Sequence, residues 1–456
     1  MDLPLVYTTV INNRINYIFS HLIFRQLKLE FGITTNLEEF NAFKGLKICY
    51  TDNRIGDSFW IKPGGLLHEE GLTEQNIQVS DYEGLKIIFR TDDSCDLPFD
   101  IFSAAFLLLS RYEEYISNRA DKYERFEAIQ SFAYLHGFLQ EPLVDKWTML
   151  LKKKLTEKFP EAVFPEQSYT LISSIDIDNP FAFKHKGIIR TIGALLKAFF
   201  TLNFNTFFGR LTALGGATKD PYDTYDYIGQ IEQKYHTKSI YFFLVGDYGR
   251  HDTSVPIRKI AYQNLIKGIN ATHQTGVHPS FSSNKSFDTL AKELKRFSRV
   301  TGERAIKSRQ HYLQIRMPDT YRSLLIAGIR EEYSMGYASA LGFRASTCFP
   351  FKFYDLLEEQ ETNLLVYPFQ VMDTTLHNYL RLRPAQTMNH ISKIIDEVKA
   401  VNGYFIPLWH NESLSEYGMW IGWRKVFEDM FAYAATDQPQ KEEQPENPEE
   451  KPEEST

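Results

Sequence analysis

Cysteine is nearly missing from this 456-residue chain: Cys49, Cys95 and Cys348 are scattered, odd in number, and none belongs to a closely spaced metal-type pair. A disulfide framework and a thiolate metal site are thereby excluded, and a reducing compartment fits. Long apolar runs are lacking as well. No stretch reaches the ~18 uncharged apolar residues of a membrane span, and the start, MDLPLVYTTVINNRINYIF, lacks the basic-then-apolar order of a secretory leader. The expectation is a cytoplasmic protein. Basic excess is absent too. The formal charge is −7, but residues 436–456 carry −6 of it through eight acids set against Lys441 and Lys451. The nearly neutral remainder has no field to gather polyanions, so nucleic acid is not an expected partner.

What remains is globular material, 43% hydrophobic and 24% charged, at a length that suits two or three domains. Residues 1–165 read as a mixed α/β domain: strand-like runs at 45–52 and 84–90 stand between Gly, Pro and Asp clusters, and helical patterns follow. Asp100 is the expected N-cap of a helix over IFSAAFLLLSRYEEYI, with a core-facing body and a solvated polar end at Arg111, Glu113 and Glu114. A second helix over about 143–158 stops at Phe159-Pro160, and a boundary falls near 160–168.

From residue 166 to 435 the pattern changes. The apolar runs ISSID, SIYFFLV (239–245), TGVH (275–278), LLVYPF (364–369) and GYFIPLW (403–409) alternate with helical segments. That alternation predicts parallel βαβ units whose strands end at a common mouth, where function is expected to sit. Two segments stand apart. Residues 184–211 are apolar and helical, punctuated by Lys184, Lys186, Arg190, Lys197 and Arg210. They suit a basic amphipathic helix on a membrane surface, a lid, or an insertion helix packed on the body. The tail, 436–456, holds four prolines and no large apolar residue, and is expected to be disordered.

Polar residues at the predicted strand ends carry the chemistry. Asp176 and Asp178 form a D-x-D just past ISSI; one acid there can bind a cation while its neighbour accepts a proton, or the pair can serve as an Asx-turn or N-cap. His278 follows Gly276-Val277, and alone reads equally as a structural histidine. Arg309, His311 and Tyr312 lie in SRQHYL, and His410 follows IPLW. The aromatic residues, 35 Phe and 26 Tyr, are read mostly as core, and no substrate-binding residue is singled out.

Taken in order, these residues resemble the motifs of the NodB-type polysaccharide deacetylases, carbohydrate esterase family 4, over about 169–435. The resemblance implies an α/β fold in which a distorted (β/α) barrel follows the smaller N-terminal domain. It also implies a hydrolase removing N-acetyl groups from a glycan or sugar precursor. Asp176 would be the base and Asp178 a metal ligand, with His278 the first metal histidine. Arg309 would orient the base, Tyr312 would offer its N–H to the oxyanion, and His410 would be the general acid. The cofactor implied is a divalent metal, most naturally Zn²⁺, whose bound water is the nucleophile.

The chain departs from the pattern twice. Ser282 stands where a second metal histidine belongs, and His311 stands where a proline belongs. His311 is the expected substitute ligand. The alternative reading, which Ser282 favours, is an impaired homologue serving as a glycan-binding or scaffold protein in envelope polysaccharide assembly. The stretches DIFSAAFLLLSRYEEY and GFRAS (342–346) are similar to a subgroup with an uncharacterised N-terminal domain.

Overall fold

The computed structural model describes residues 3–117 and 119–437. The expected disordered tail therefore lies, from residue 438 on, outside the described residues. The N-terminal region builds one parallel sheet of order β2-β1-β3-β4 from β1 (Leu5–Thr8), β2 (Gly32–Thr34), β3 (Lys47–Tyr50) and β4 (Phe59–Ile61). A hairpin of β5 (Ser80–Tyr82) and β6 (Leu85–Ile87) follows. Asp100 caps its helix as expected: its carboxylate accepts hydrogen bonds from the Phe102 and Ser103 amides at 3.1 Å, and Ile101–Leu109 is wholly buried. The polar end of that segment is not solvated. Arg111 turns the chain at φ 56°, and both Arg111 and Glu114 are enclosed in an ion-paired cluster. The second helix spans Leu143–Lys158.

Eleven strands follow: β7 (Thr170–Leu171), β8 (Ser174–Ile177), β9 (Ile240–Phe243), β10 (Thr275–Val277), β11 (Lys307–Ser308), β12 (Glu331–Glu332), β13 (Phe351–Asp355), β14 (Gln360–Val366), β15 (Val371–Met372), β16 (Tyr404–Phe405) and β17 (Pro407–His410). Nine of them form one sheet of order β13-β14-β12-β11-β10-β9-β8-β17-β15, parallel throughout except for β13 against β14. The class is α/β. Among the described residues the ladder is open, with β13 at one end and β15 at the other. Every residue of β8, β9 and β17 is buried, which is why these strands read as unbroken apolar runs in the sequence.

One apolar core runs from Val6 to Ala434. Tyr17 and Phe106 of the N-terminal region pack on Tyr354 of β13 at ring separations of 5.0 and 5.1 Å. Residues 184–211 do not pack down as an insertion helix would. They form two helices, Ile188–Phe200 and Phe204–Leu214, of which only Ala198 and Ala213 are buried. The break falls at Leu202, at φ 53°, and the Asn203 side chain caps the second helix by accepting from the Thr206 amide at 3.1 Å. No helix among the described residues is long and apolar enough to cross a membrane.

Candidate metal centre

Strands of the nine-stranded sheet deliver the site. Reading across the sheet, β11 ends at Arg309 and His311, β10 at His278, β8 at Asp176 and Asp178, and β17 at His410, which sits in register with Asp176. Parallel strands put these C-terminal ends on one edge, the usual place for ligands in open α/β sheets. Gly276 makes the packing possible. A Cβ there would lie 2.8 Å from the Lys307 carbonyl and from the Phe242 ring, so a larger residue would push β10 and His278 off β11.

Asp178, His278 and His311 converge, with one ligand atom from each lying within 4.8 Å of the others. His278 Nε2 is 3.2 Å from Asp178 Oδ1, and His311 Nε2 is 3.3 Å from Asp178 Oδ2. Metal bonds of ~2.0–2.2 Å place the donors of a tetrahedral ion roughly 3.3–3.5 Å apart, so these atoms stand at the separation a cation needs. Both imidazoles are turned correctly. His278 Nδ1 donates to the Arg309 carbonyl at 2.5 Å and His311 Nδ1 to Asp252 Oδ1 at 2.8 Å, which leaves both Nε2 atoms as lone-pair donors. Asp178 Oδ1 is buried and makes no hydrogen bond. Charge points the same way: Asp176, Asp178, Asp252 and Asp373 surround this cluster, and among the described residues Arg309 is the one fixed cation bonded to any of them. Burial opposes ionisation here, yet Asp178 and Asp252 overcome it and push the His311 imidazole up to about 9, while His311 and His278 hold the Asp178 carboxyl well below the usual range.

Two further pairs flank the cluster. Arg309 Nη1 donates to Asp176 Oδ1 at 2.9 Å, while its other nitrogens reach the Ser174 hydroxyl and the Tyr333 carbonyl, each also at 2.9 Å. Asp176 is thus fixed, with Oδ2 facing His278 Nε2 at 3.8 Å. On the other side His410 Nδ1 donates to Asp373 Oδ1 at 2.8 Å, and the His410 amide donates to Asp373 Oδ2 at 2.7 Å. Burial would lower His410, but Asp373 outweighs it and holds the imidazole well above its ordinary value, with Nε2 3.8 Å from Asp178.

Asp176, Asp178, His278, His311, Tyr312 and His410 line one cavity of about 740 Å³, and Arg309 lies buried behind Asp176. Tyr312 stands at φ 61°, an uncommon backbone for a bulky residue, and its carbonyl accepts from Arg125 Nη1 at 3.0 Å. Its ring packs on Tyr123 at 4.9 Å, so the N-terminal region supplies one wall of the cavity.

Sequence reading missed Asp252, Asp373 and this wall. Asp373 follows the two-residue strand β15, a signal too short to read, and Asp252 sits in a loop without periodicity. The Ser282 departure also gains an explanation. Its hydroxyl donates to Asp252 Oδ2 at 3.4 Å, so it supports, through Asp252, the histidine that meets Asp178. Asp252→Asn is expected to weaken zinc affinity about 10- to 100-fold without unfolding the chain, as competition with a chromogenic chelator would read.

Residues 4–160 match a family of unknown function (DUF7033). No curated protein matches the chain. Among solved structures the chain is similar to a candidate polysaccharide deacetylase from Mycobacterium smegmatis, at 13% identity over 59% of this chain and 87% of that one, with a TM-score of 0.37. It is also similar to BA3943, a CE4 family pseudoenzyme from Bacillus anthracis, at 10% identity over 58% and 60% of the two chains with a TM-score of 0.28. A third is the polysaccharide deacetylase Bc1974 from Bacillus cereus, at 10% identity over 59% and 88% with a TM-score of 0.26. At these values the likeness says nothing about chemistry, which rests on the cluster itself.

Proposed function

We propose that this protein is a metal-dependent hydrolase that removes N-acetyl groups from a glycan or glycan precursor. The observation that carries the reading is the meeting of Asp178, His278 and His311 at one cavity between the Arg309-bound carboxylate of Asp176 and the Asp373-bound imidazole of His410. Residues 166–435 would hold the site on a distorted, unclosed barrel, and residues 1–165 would close one side of it.

A divalent cation held there, most naturally Zn²⁺, supplies Lewis acidity that polarises a carbonyl oxygen and acidifies water toward neutral pH. The rest falls to side chains. Asp176, one oxygen anchored by Arg309, keeps the other free to take a proton from the attacking water. His410, its Nδ1 engaged by Asp373, carries its transferable proton on Nε2 and is placed to protonate the departing amine. The Tyr312 N–H is our choice for the oxyanion donor, because that residue lines the cavity beside His311. Tyr123, Tyr379, Lys122 and Asn378 add ring faces and polar groups, a lining that suits a sugar.

Purified protein is expected to hold about one metal ion per chain by elemental analysis, and His278→Ala and His311→Ala to hold almost none. A wild type free of metal, even after zinc is supplied, would instead support the binding or scaffold role that Ser282 favours.

A further inference from the structure

The helices Ile188–Phe200 and Phe204–Leu214 expose apolar surface on a scale the remainder of the protein does not. Eleven large apolar side chains in these 27 residues are exposed, among them Ile188 at 78%, Ile189 at 88%, Phe200 at 76% and Phe208 at 59%. Isolated apolar residues on a surface need no explanation, but a contiguous patch marks a contact. In the first helix Ile188, Ile192, Leu196 and Phe199 recur every three or four residues, while Arg190 and Lys197 fall on the opposite arc. The two helices pack on each other through Phe199, which meets Phe204 and Phe207 at 6.4 and 6.0 Å.

Charge selects the occupant. Between Asp178 and Lys219 the chain has no acid, yet it carries Lys184, Lys186, Arg190, Lys197 and Arg210. None of these five forms an ion pair among the described residues, whereas Lys219, just beyond the hairpin, pairs with Asp223 and Asp226. Burial first, then Arg190, push the Lys186 amine down to about 8 against the opposing pull of Glu412 and Asp220. A second copy of the same face would bring like charges together. The acidic segment 438–456 has the right charge but no apolar side chain to cover Ile189 or Phe200.

We propose that this helical hairpin is a docking surface for an anionic lipid bilayer, its apolar face sunk among the acyl chains and its cations set against the headgroup phosphates. The hairpin's root lies beside the proposed catalytic cavity. Arg190 Nη2 donates to the Thr253 carbonyl at 3.1 Å, next to the Asp252 that holds His311, and Thr206 shares a hydrogen bond with Tyr417 at 2.9 Å. Docking would thus bring the metal centre close to the bilayer. The docking claim stands on the hairpin alone and does not depend on the hydrolytic reading.

Flotation of the full chain with phosphatidylcholine vesicles, with and without 30% phosphatidylglycerol, tests it. Binding is expected to the anionic vesicles, to fall steeply with added salt, and to drop about tenfold or more in Ile189→Asp/Phe200→Asp. Both positions are exposed, so the variant keeps its fold and its thermal midpoint. Lys197→Glu should shift binding toward higher phosphatidylglycerol content. The inference is overturned if wild type stays with the unbound fraction, or if the double Asp variant floats as well as wild type. It is equally overturned if light scattering shows a dimer that Ile189→Asp/Phe200→Asp dissolves while no lipid binds.

Discussion

Asp176→Asn is expected to lower acetate release from N-acetylglucosamine oligomers or nucleotide sugars by roughly 10²- to 10⁴-fold, the usual contribution of a positioned general base. The substitution is mild everywhere except at that function. Asn keeps the volume and an oxygen to accept from Arg309 Nη1, so the guanidinium, which also holds Ser174 and Tyr333, is not stripped of its partners. The metal cluster is formed by other residues: Asp178 meets His278 and His311 at 3.2 and 3.3 Å, while Asp176 stands off at 3.8 Å from His278. Bound metal should therefore stay stoichiometric, and metal content doubles as the check that the chain has folded. Undiminished acetate release would remove Asp176 as the base. Loss of metal together with activity, in a variant that keeps the wild-type thermal midpoint, would assign it to the cation instead.

How much of this arrangement was legible follows from where each residue sits. Asp176, Asp178, His278 and His410 lie in or just past the last residues of buried or nearly buried strands, and such a strand announces itself as an apolar run with a polar residue near its close. Strands β11 and β12 send no such signal. The first is two residues long, and the second consists of Glu331 and Glu332, the latter kept inside by hydrogen bonds from Ser334 and Tyr321. The partners of the imidazoles were illegible for another reason. Asp252 lies 59 residues from His311 and Asp373 lies 37 from His410, and nothing in a linear pattern encodes a bond made only after the loops are placed. The polar end of the helix after Asp100 misled because Arg, Glu and Glu in a row normally mean solvent. Here they face an arginine from another part of the chain.

That arginine leads to the largest expected effect on stability. Glu114 accepts from Arg111 Nε at 2.8 Å and from Arg344 Nε and Nη2 at 2.9 and 2.6 Å, with all three side chains at most 3% exposed. Arg344 belongs to GFRAS, so the two stretches read as subgroup marks meet each other and join the N-terminal region to the loop before β13. Gly342 permits the approach. It sits at φ 127°, and a Cβ would fall 2.3 Å from the Leu139 carbonyl, which itself accepts from the Phe343 amide at 2.8 Å. Burial acts to raise the Glu114 carboxyl, but Arg344 and Arg111 outweigh it and hold it down to about 2. Glu114→Gln leaves Arg344 with no carboxylate partner among the described residues and Arg111 with Glu113 alone, and should cost about 3–5 kcal/mol in urea unfolding at pH 7, the usual penalty for breaking a buried pair. Glu428→Gln, which breaks the exposed pair with Lys234, should leave the midpoint unmoved. The pH dependence has a fixed sign. A carboxyl depressed by folding contributes stability above its ordinary value of about 4.5 and loses it as pH falls toward 2. The gap between wild type and Glu114→Gln should accordingly be full at neutral pH and narrow across that acid window. A gap that widens on acidification, or a Glu114→Gln midpoint equal to wild type at pH 7, would show that the two halves are held by their shared apolar core alone.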